Sequence, residues 1–288
     1  MSTRTQVMGI VNVTPDSFSD GGQWFERDVA IAHGRHLLAQ GADILDIGGE
    51  STRPGASRVG VQEELDRVLP VIEGLLGHAP VLSVDTMRAQ VASVAVQAGA
   101  GIINDVSGGR ADPDMAAVAA ESDARFILSH WRGHSDVMAS LTKYDDVVED
   151  VRAELSAQVQ AVVDAGVSEE RIIIDPGLGF AKDAEANWIL LANLHRLQDL
   201  GFPVLVGASR KRFIGELLAR HGAESLPTFR DRASAAISAL VARSGAWAVR
   251  VHDVPISVDA VRVAQEFRTA TRGLDQQALA LTPDVAQG

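Results

Sequence analysis

The stretch Ile172-Ile173-Ile174-Asp175-Pro176-Gly177-Leu178-Gly179-Phe180 joins a strand to a turn. Three consecutive β-branched residues make a short strand buried on both faces, and a carboxylate stands where it ends. Pro176 and the two glycines then bend the chain tightly and leave the backbone accessible. A lone Asp-Pro-Gly reads as an ordinary turn that Asp175 merely opens. Here the same event, an apolar strand ending in polar residues and a turn, recurs along the chain. That recurrence points to one architecture.

Strand-like runs of this kind fall at 7–11, 44–47, 81–84, 101–104, 125–129, 171–174, 204–207 and 248–251. Helical runs lie between them at 27–40, 63–76, 88–98, 145–165, 184–200 and 212–220. In the longest, Val148, Val151, Leu155, Val159 and Val162 repeat at helical spacing and give one apolar face. Gly41, Gly99, Gly166 and Gly201 stand where helices should stop. Eight β-then-α units in 288 residues predict a single-domain (β/α)8 barrel of the TIM type. An open doubly wound sheet is the alternative, but the first turn lacks the glycine fingerprint of a dinucleotide binder. No low-complexity linker divides the chain. The barrel is assigned to 1–272, and the weakly periodic 273–288 reads as a loose tail.

A net charge of −12 argues against nonspecific nucleic-acid or anionic-membrane binding, yet leaves room for a local basic pocket. The sequence has no cysteine, which excludes disulfides, thiolate zinc sites and a cysteine nucleophile. No signal-like segment precedes the first strand, and no run reaches the ~18–20 apolar residues of a membrane span. A cytoplasmic location is the expectation.

In such a barrel the active site lies where the strands end and the βα loops begin. Those positions hold Asn12, Asp85, Asn104, Asp175, Ser209, Arg210, Lys211, Arg250 and His252, with long loops at 12–22 and 48–55. Singly, each has a plain explanation: Asp85 as a helix cap, Asn104 as a turn former, His252 as a satisfied polar residue. Cations at a helix start, such as Arg210 and Lys211, oppose the helix dipole and make better sense beside a bound anion. Arg250 and His252, two apart on one strand, point to one side and suit joint anion binding. The pocket thus has two halves. Asp85, Asn104, Asp175 and Lys211 suit a flat polar heterocycle; Asn12, Arg250 and His252 suit a phosphate or metal-bound pyrophosphate. Nothing resembles a Ser-His-Asp arrangement or a multi-His metal site.

Five segments carry a resemblance: Asn12-Val-Thr-Pro-Asp-Ser-Phe-Ser-Asp-Gly-Gly22, Gly48-Gly-Glu-Ser-Thr-Arg-Pro-Gly55, Asn104-Asp-Val-Ser-Gly-Gly109, Asp175-Pro-Gly-Leu-Gly-Phe180 and Gly207-Ala-Ser-Arg-Lys-Arg-Phe213. In content and order they resemble the motifs of the dihydropteroate synthase family, over roughly 7–252. The resemblance implies a (β/α)8 barrel that condenses 7,8-dihydropterin-6-ylmethyl diphosphate with 4-aminobenzoate in folate synthesis. It implies that Asp175, Asp85, Asn104 and Lys211 bind the pterin, with Asp175, Lys211 and Asp20 catalytic. Asn12 would hold Mg2+, the implied cofactor. Arg250 and His252, with Thr52 and Arg53, would hold the diphosphate. Phe18, Pro54, Ser209 and Arg210 would form the aminobenzoate site, where sulfonamides compete, beneath loops that close once diphosphate is bound. A homodimer is implied as well. One departure is Ser129, where many members carry a methionine that packs on the pterin; the smaller side chain loosens the pocket floor. Two other readings are pterin-dependent methyltransfer on the same fold and noncatalytic pterin binding.

Overall fold

β-branched runs become parallel strands here because both faces of each strand are covered, the inner by the other strands and the outer by helices. The structure, a computed structural model, describes residues 4–14, 23–50, 58–134, 138–224 and 226–281. The strands are β1 (Gln6–Asn12), β2 (Ile44–Gly48), β3 (Leu82–Asp85), β4 (Ile102–Asp105), β5 (Arg125–Ser129), β6 (Ile172–Asp175), β7 (Leu205–Val206) and β8 (Ala248–Val251). All pair in parallel, in the order β6-β5-β4-β3-β2-β1-β8-β7. A single bridge, Ile174 to Val204, joins β6 to β7 and completes the ring. The fold is the (β/α)8 barrel that the sequence pattern predicts.

The helices are α1 (Gln23–Ala39), α2 (Val61–Leu75), α3 (Ala89–Gln97), α4 (Met115–Glu121), α5 (Val147–Asp164), α6 (Ala184–Ala192), α7 (Leu194–Gln198), α8 (Arg212–Arg220), α9 (Asp231–Ser244) and α10 (Val254–Leu281). The expected helix at 184–200 divides at Asn193, whose side-chain amide donates to the Ile189 carbonyl at 2.9 Å. The valines and leucine expected on the apolar face of α5 are all buried. Its first turn is capped by Asp146, which accepts from the backbone of Val148 and Glu149. The four glycines expected at helix ends all adopt positive φ. The backbone of α10 continues to Leu281, across the position where the tail was expected to begin.

Two apolar layers result. The larger lies between strands and helices. The smaller, built from Met8, Ile44, Ile102, Ile127, Ile173, Leu205 and Ala248, fills the barrel interior. Among the described residues, no helix is long and apolar enough to cross a membrane.

Candidate active site

Side chains alternate along a strand, so the residue two places after an interior apolar one faces the same interior, one layer nearer the C-terminal mouth. From Ile44 this step reaches Asp46; from Ile102, Asn104; from Ile127, Ser129; from Ile173, Asp175; from Ala248, Arg250. An apolar plug is therefore topped by a polar layer. Above it opens a cavity of about 580 Å3, lined by Asn12, Asp85, Asn104, Asp175, Ser209, Arg210, Lys211, Arg250 and His252. All nine candidate residues that lie in described segments thus share one pocket. Phe18, Asp20, Thr52, Arg53 and Pro54 lie outside the described residues.

Arg250 organises the floor. Its Nε donates to Asp46 Oδ2 and its Nη2 to Asp85 Oδ2, each at 2.6 Å. Asn104 Nδ2 donates to the same Asp46 oxygen at 2.9 Å, which leaves the Asn104 carbonyl oxygen as the group to meet a ligand. Asp46 is fully buried, and its Oδ1 has no hydrogen-bond partner among the described residues. Burial pushes the Asp85 carboxyl up to about 7, against the pull of Arg250 and with the push of Asp46. The flanking carboxylates instead raise Arg250 above its ordinary value despite burial. The expected role of Arg250 on an anion is thus joined by a second one, neutralising two carboxylates inside the barrel.

Asp175 ends β6 with its Oδ1 accepting the Gly177 amide at 2.6 Å. Burial raises its carboxyl above the ordinary range, while Lys211, that amide, Lys182 and Arg250 oppose the rise. Gly177 has φ of 64°, and a side chain there would collide with the His130 carbonyl. Only glycine makes this turn. Lys211 precedes α8, and its ammonium crosses to the Leu178 carbonyl and lies 4.7 Å from the Phe180 ring centroid. Burial brings Lys211 down to about 8.

At the other side of the mouth, His252 Nδ1 lies 3.0 Å from Ser209 Oγ. Arg210 lines the pocket, yet its guanidinium is bound in bidentate fashion by Asp231 of α9 at 2.7 and 2.8 Å. Its φ of 60° is unusual for a residue with a side chain. The chain is anchored at Gly49 and Val59: Arg67 donates to the Gly49 carbonyl at 2.8 Å and Arg88 to that of Val59 at 2.6 Å. Arg88 also pairs with Glu50 and Glu64.

Beneath the 177–180 turn runs a buried chain that strand-end reading does not reach. Lys182 Nζ sits 2.8 Å from His130 Nδ1, and His130 Nε2 sits 2.9 Å from Glu154 Oε2. Glu154 is also held by Arg132 at 2.5 Å. Burial and Lys182 bring His130 down to about 4, so its ring is neutral.

A carboxylate pair, an amide oxygen and an ammonium, arranged on one floor with cations at the rim, suit a flat heterocycle that carries an anionic tail. The family described as pterin binding enzyme matches residues 8–252. The chain belongs to the pterin-binding enzyme family. Among its relatives, the dihydropteroate synthase of Mycobacterium leprae is 52% identical over 90% of this chain and 92% of that one. The dihydropteroate synthase of Bacillus subtilis is 46% identical over 87% and 84%. A solved pterin-binding relative, the Xanthomonas albilineans dihydropteroate synthase in complex with 7,8-dihydropteroate, superposes with a TM-score of 0.81 at 44% identity. That match covers 98% of this chain and 96% of the other. The Yersinia pestis dihydropteroate synthase with a sulfonamide drug gives a TM-score of 0.86 at 41% identity, covering 92% and 95%.

Proposed function

We propose that this pterin-binding enzyme is a dihydropteroate synthase. It joins 7,8-dihydropterin-6-ylmethyl diphosphate to 4-aminobenzoate, giving 7,8-dihydropteroate and pyrophosphate. The observation that carries the reading is the floor on which Asp85, Asn104, Asp175 and Lys211 line one cavity. Two carboxylates and an amide oxygen accept the N–H and amine edge of the pterin, and Lys211 donates to its acceptor edge.

The reaction breaks the C–O bond between the pterin methylene and the diphosphate. It forms a C–N bond to the aminobenzoate amine, which gives up a proton. The electron-rich dihydropterin carries positive charge as the C–O bond lengthens, and the Asp175 carboxylate stabilises that charge at short range in a buried site. Arg250 and His252 stabilise the departing diphosphate. No protein nucleophile is required.

The donor set at the mouth also fits Mg2+. Asn12 ends β1 at the cavity and offers a hard amide oxygen. Among the described residues no cluster of three or more His, Cys, Asp or Glu would hold a metal by itself. Mg2+ commonly takes one or two protein ligands and completes its shell with phosphate oxygens and water. Bound there, it would neutralise charge on the diphosphate.

The reading includes a cytoplasmic location and a homodimer. Leu240 of α9 and Val263 and Phe267 of α10 are exposed by 60% or more, which suits a second copy as their cover. Sedimentation should give twice the chain mass, and a monomer at all concentrations would remove the dimer from the reading. The function itself is tested by mixing protein, pterin diphosphate, 4-aminobenzoate and Mg2+. Dihydropteroate and pyrophosphate should appear in equal amounts; binding of the pterin without product would leave a noncatalytic pterin binder.

A further inference from the structure

Lys182 takes no part in the scheme above, yet it is only 3% exposed. Its ammonium lies 3.1 Å from the Gly177 carbonyl, 3.1 Å from the Phe180 carbonyl and 2.8 Å from His130 Nδ1. Three acceptors match the three protons of an ammonium. An ammonium can only donate, so the Nδ1 that faces it must accept; neutral His130 then carries its proton on Nε2, beside Glu154. The backbone is bent to make this possible. Ala181 adopts a φ of 48°, and its carbonyl is held by the Tyr144 hydroxyl at 3.0 Å. The chain thereby turns back, and Lys182 reaches the turn that it has just left.

That turn is the one that orients the pterin floor. The Gly177 amide donates to Asp175, the Gly177 carbonyl accepts from the Phe180 amide at 3.0 Å, and the Leu178 carbonyl accepts from Lys211. We propose that Lys182 is a positioning residue of the reaction, whose buried ammonium locks the 177–180 turn and, through it, the Asp175 carboxylate. The inference rests on the reading of Asp175 as the pterin's carboxylate partner.

A fixed cation here has a consequence beyond packing. The charged groups facing Lys182 are Lys211, Asp175, Arg132 and Glu154; burial first, then the two cations, bring its ammonium well below the ordinary lysine value, and the two carboxylates oppose that fall. Lys182 in turn opposes the rise that burial imposes on Asp175. Without that charge Asp175 takes up a proton at higher pH, so activity is lost at higher pH on the acid side.

The test compares wild type with Lys182→Met, which keeps the length and removes charge and donors, and Lys182→Gln, which keeps two donors without charge. In Lys182→Met the KM for pterin diphosphate should rise and kcat fall, each by about tenfold, the scale of one lost hydrogen bond to a charged group. The acid limb of kcat/KM should move up by about 0.5–1 pH unit, the low end for a nearby charge. Lys182→Gln should recover part of the KM effect and keep the shifted limb. If Lys182→Met does not fold, the limb in Lys182→Gln decides. Activity lost evenly at every pH, with the limb unmoved, overturns the inference and leaves the functional reading standing. A wild-type protein that makes no dihydropteroate overturns the reading, and the inference with it. In 15N-histidine spectra of the wild type, His130 should be the Nε2–H tautomer; an Nδ1–H ring overturns the arrangement without any variant.

Discussion

Asp175 does two things at once, ending a strand and accepting the Gly177 amide. Asp175→Asn separates them, since the amide oxygen can still accept that bond and keep the turn. What it loses is the charge and one acceptor facing the pterin. A hydrogen bond to a charged group contributes ~1.5–3 kcal/mol, so calorimetry should show pterin binding weakened roughly ten- to a hundredfold. Unchanged affinity would reduce Asp175 to a turn residue. Arg250 and His252, paired in the sequence reading, part company in the structure. Arg250→Ala leaves Asp46 and Asp85 without the guanidinium between them, and breaking such a buried pair costs about 3–5 kcal/mol. His252→Ala should weaken binding of the diphosphate substrate and spare stability. Urea unfolding of both variants checks this, and an Arg250→Ala variant as stable as the wild type would show that Arg250 is not structural. Asp46 has a signal in the sequence too: it stands alone among apolar residues in Ile44-Leu45-Asp46-Ile47, in step with the interior Ile44. It lies one layer below the strand ends, where the barrel rule does not point.

At the scale of elements, the strands were readable because each is a short apolar run between breakers. Helix α5 was readable because its apolar side chains contrast sharply with charged ones. By contrast, α4 is only seven residues long, and α9 is rich in alanine and serine, so neither carries much contrast. Lys182 has no signal in the sequence for a different reason: its partners are two backbone carbonyls and a histidine 52 residues away, and spacing encodes neither. Helix α5 joins that network through Glu154, whose carboxyl is brought down to about 2 from an ordinary 4.5. His130 is likewise brought down, to about 4 from an ordinary 6.5. Both folded values are depressed, so the stability they contribute is full above about pH 6.5 and is lost as pH falls through about 4 and then 2. Glu154→Gln should therefore lower stability most at neutral pH, with the gap to wild type closing in acid. Unfolding curves measured at about pH 7 and about pH 3 test the sign; a gap of constant size would mean that charge is not its cause.

Taken whole, the molecule has chemically opposite ends. The N-terminal end has a smaller cavity of about 430 Å3, lined largely by apolar residues, where Arg125 stacks on Trp247 at 4.5 Å. The C-terminal end gathers the charged side chains, as the barrel rule requires. Around the barrel wall the strands are not equally tied. Strands β1 and β2 pair over five positions, whereas β6 meets β7 through one bridge, and β7 itself has two residues. Asp175 stands on one bank of that join and Lys211 on the other, with the Lys211 ammonium crossing to Leu178. A barrel fastened by so little on one side has a preferred line along which to come apart, as a seamed tube splits along its seam. A pterin gripped by both residues would act as a stitch across it. Deuterium uptake at Ile174, Leu205 and Val206 should then slow on pterin binding by more than at β1 and β2, beyond the general protection that any ligand confers. Uniform slowing of all strands would show that the seam does not open by itself. If it does open, substrate occupancy sets how long each molecule survives between openings. Starvation for pterin would then be met as a faster turnover of the enzyme as well as a slower reaction.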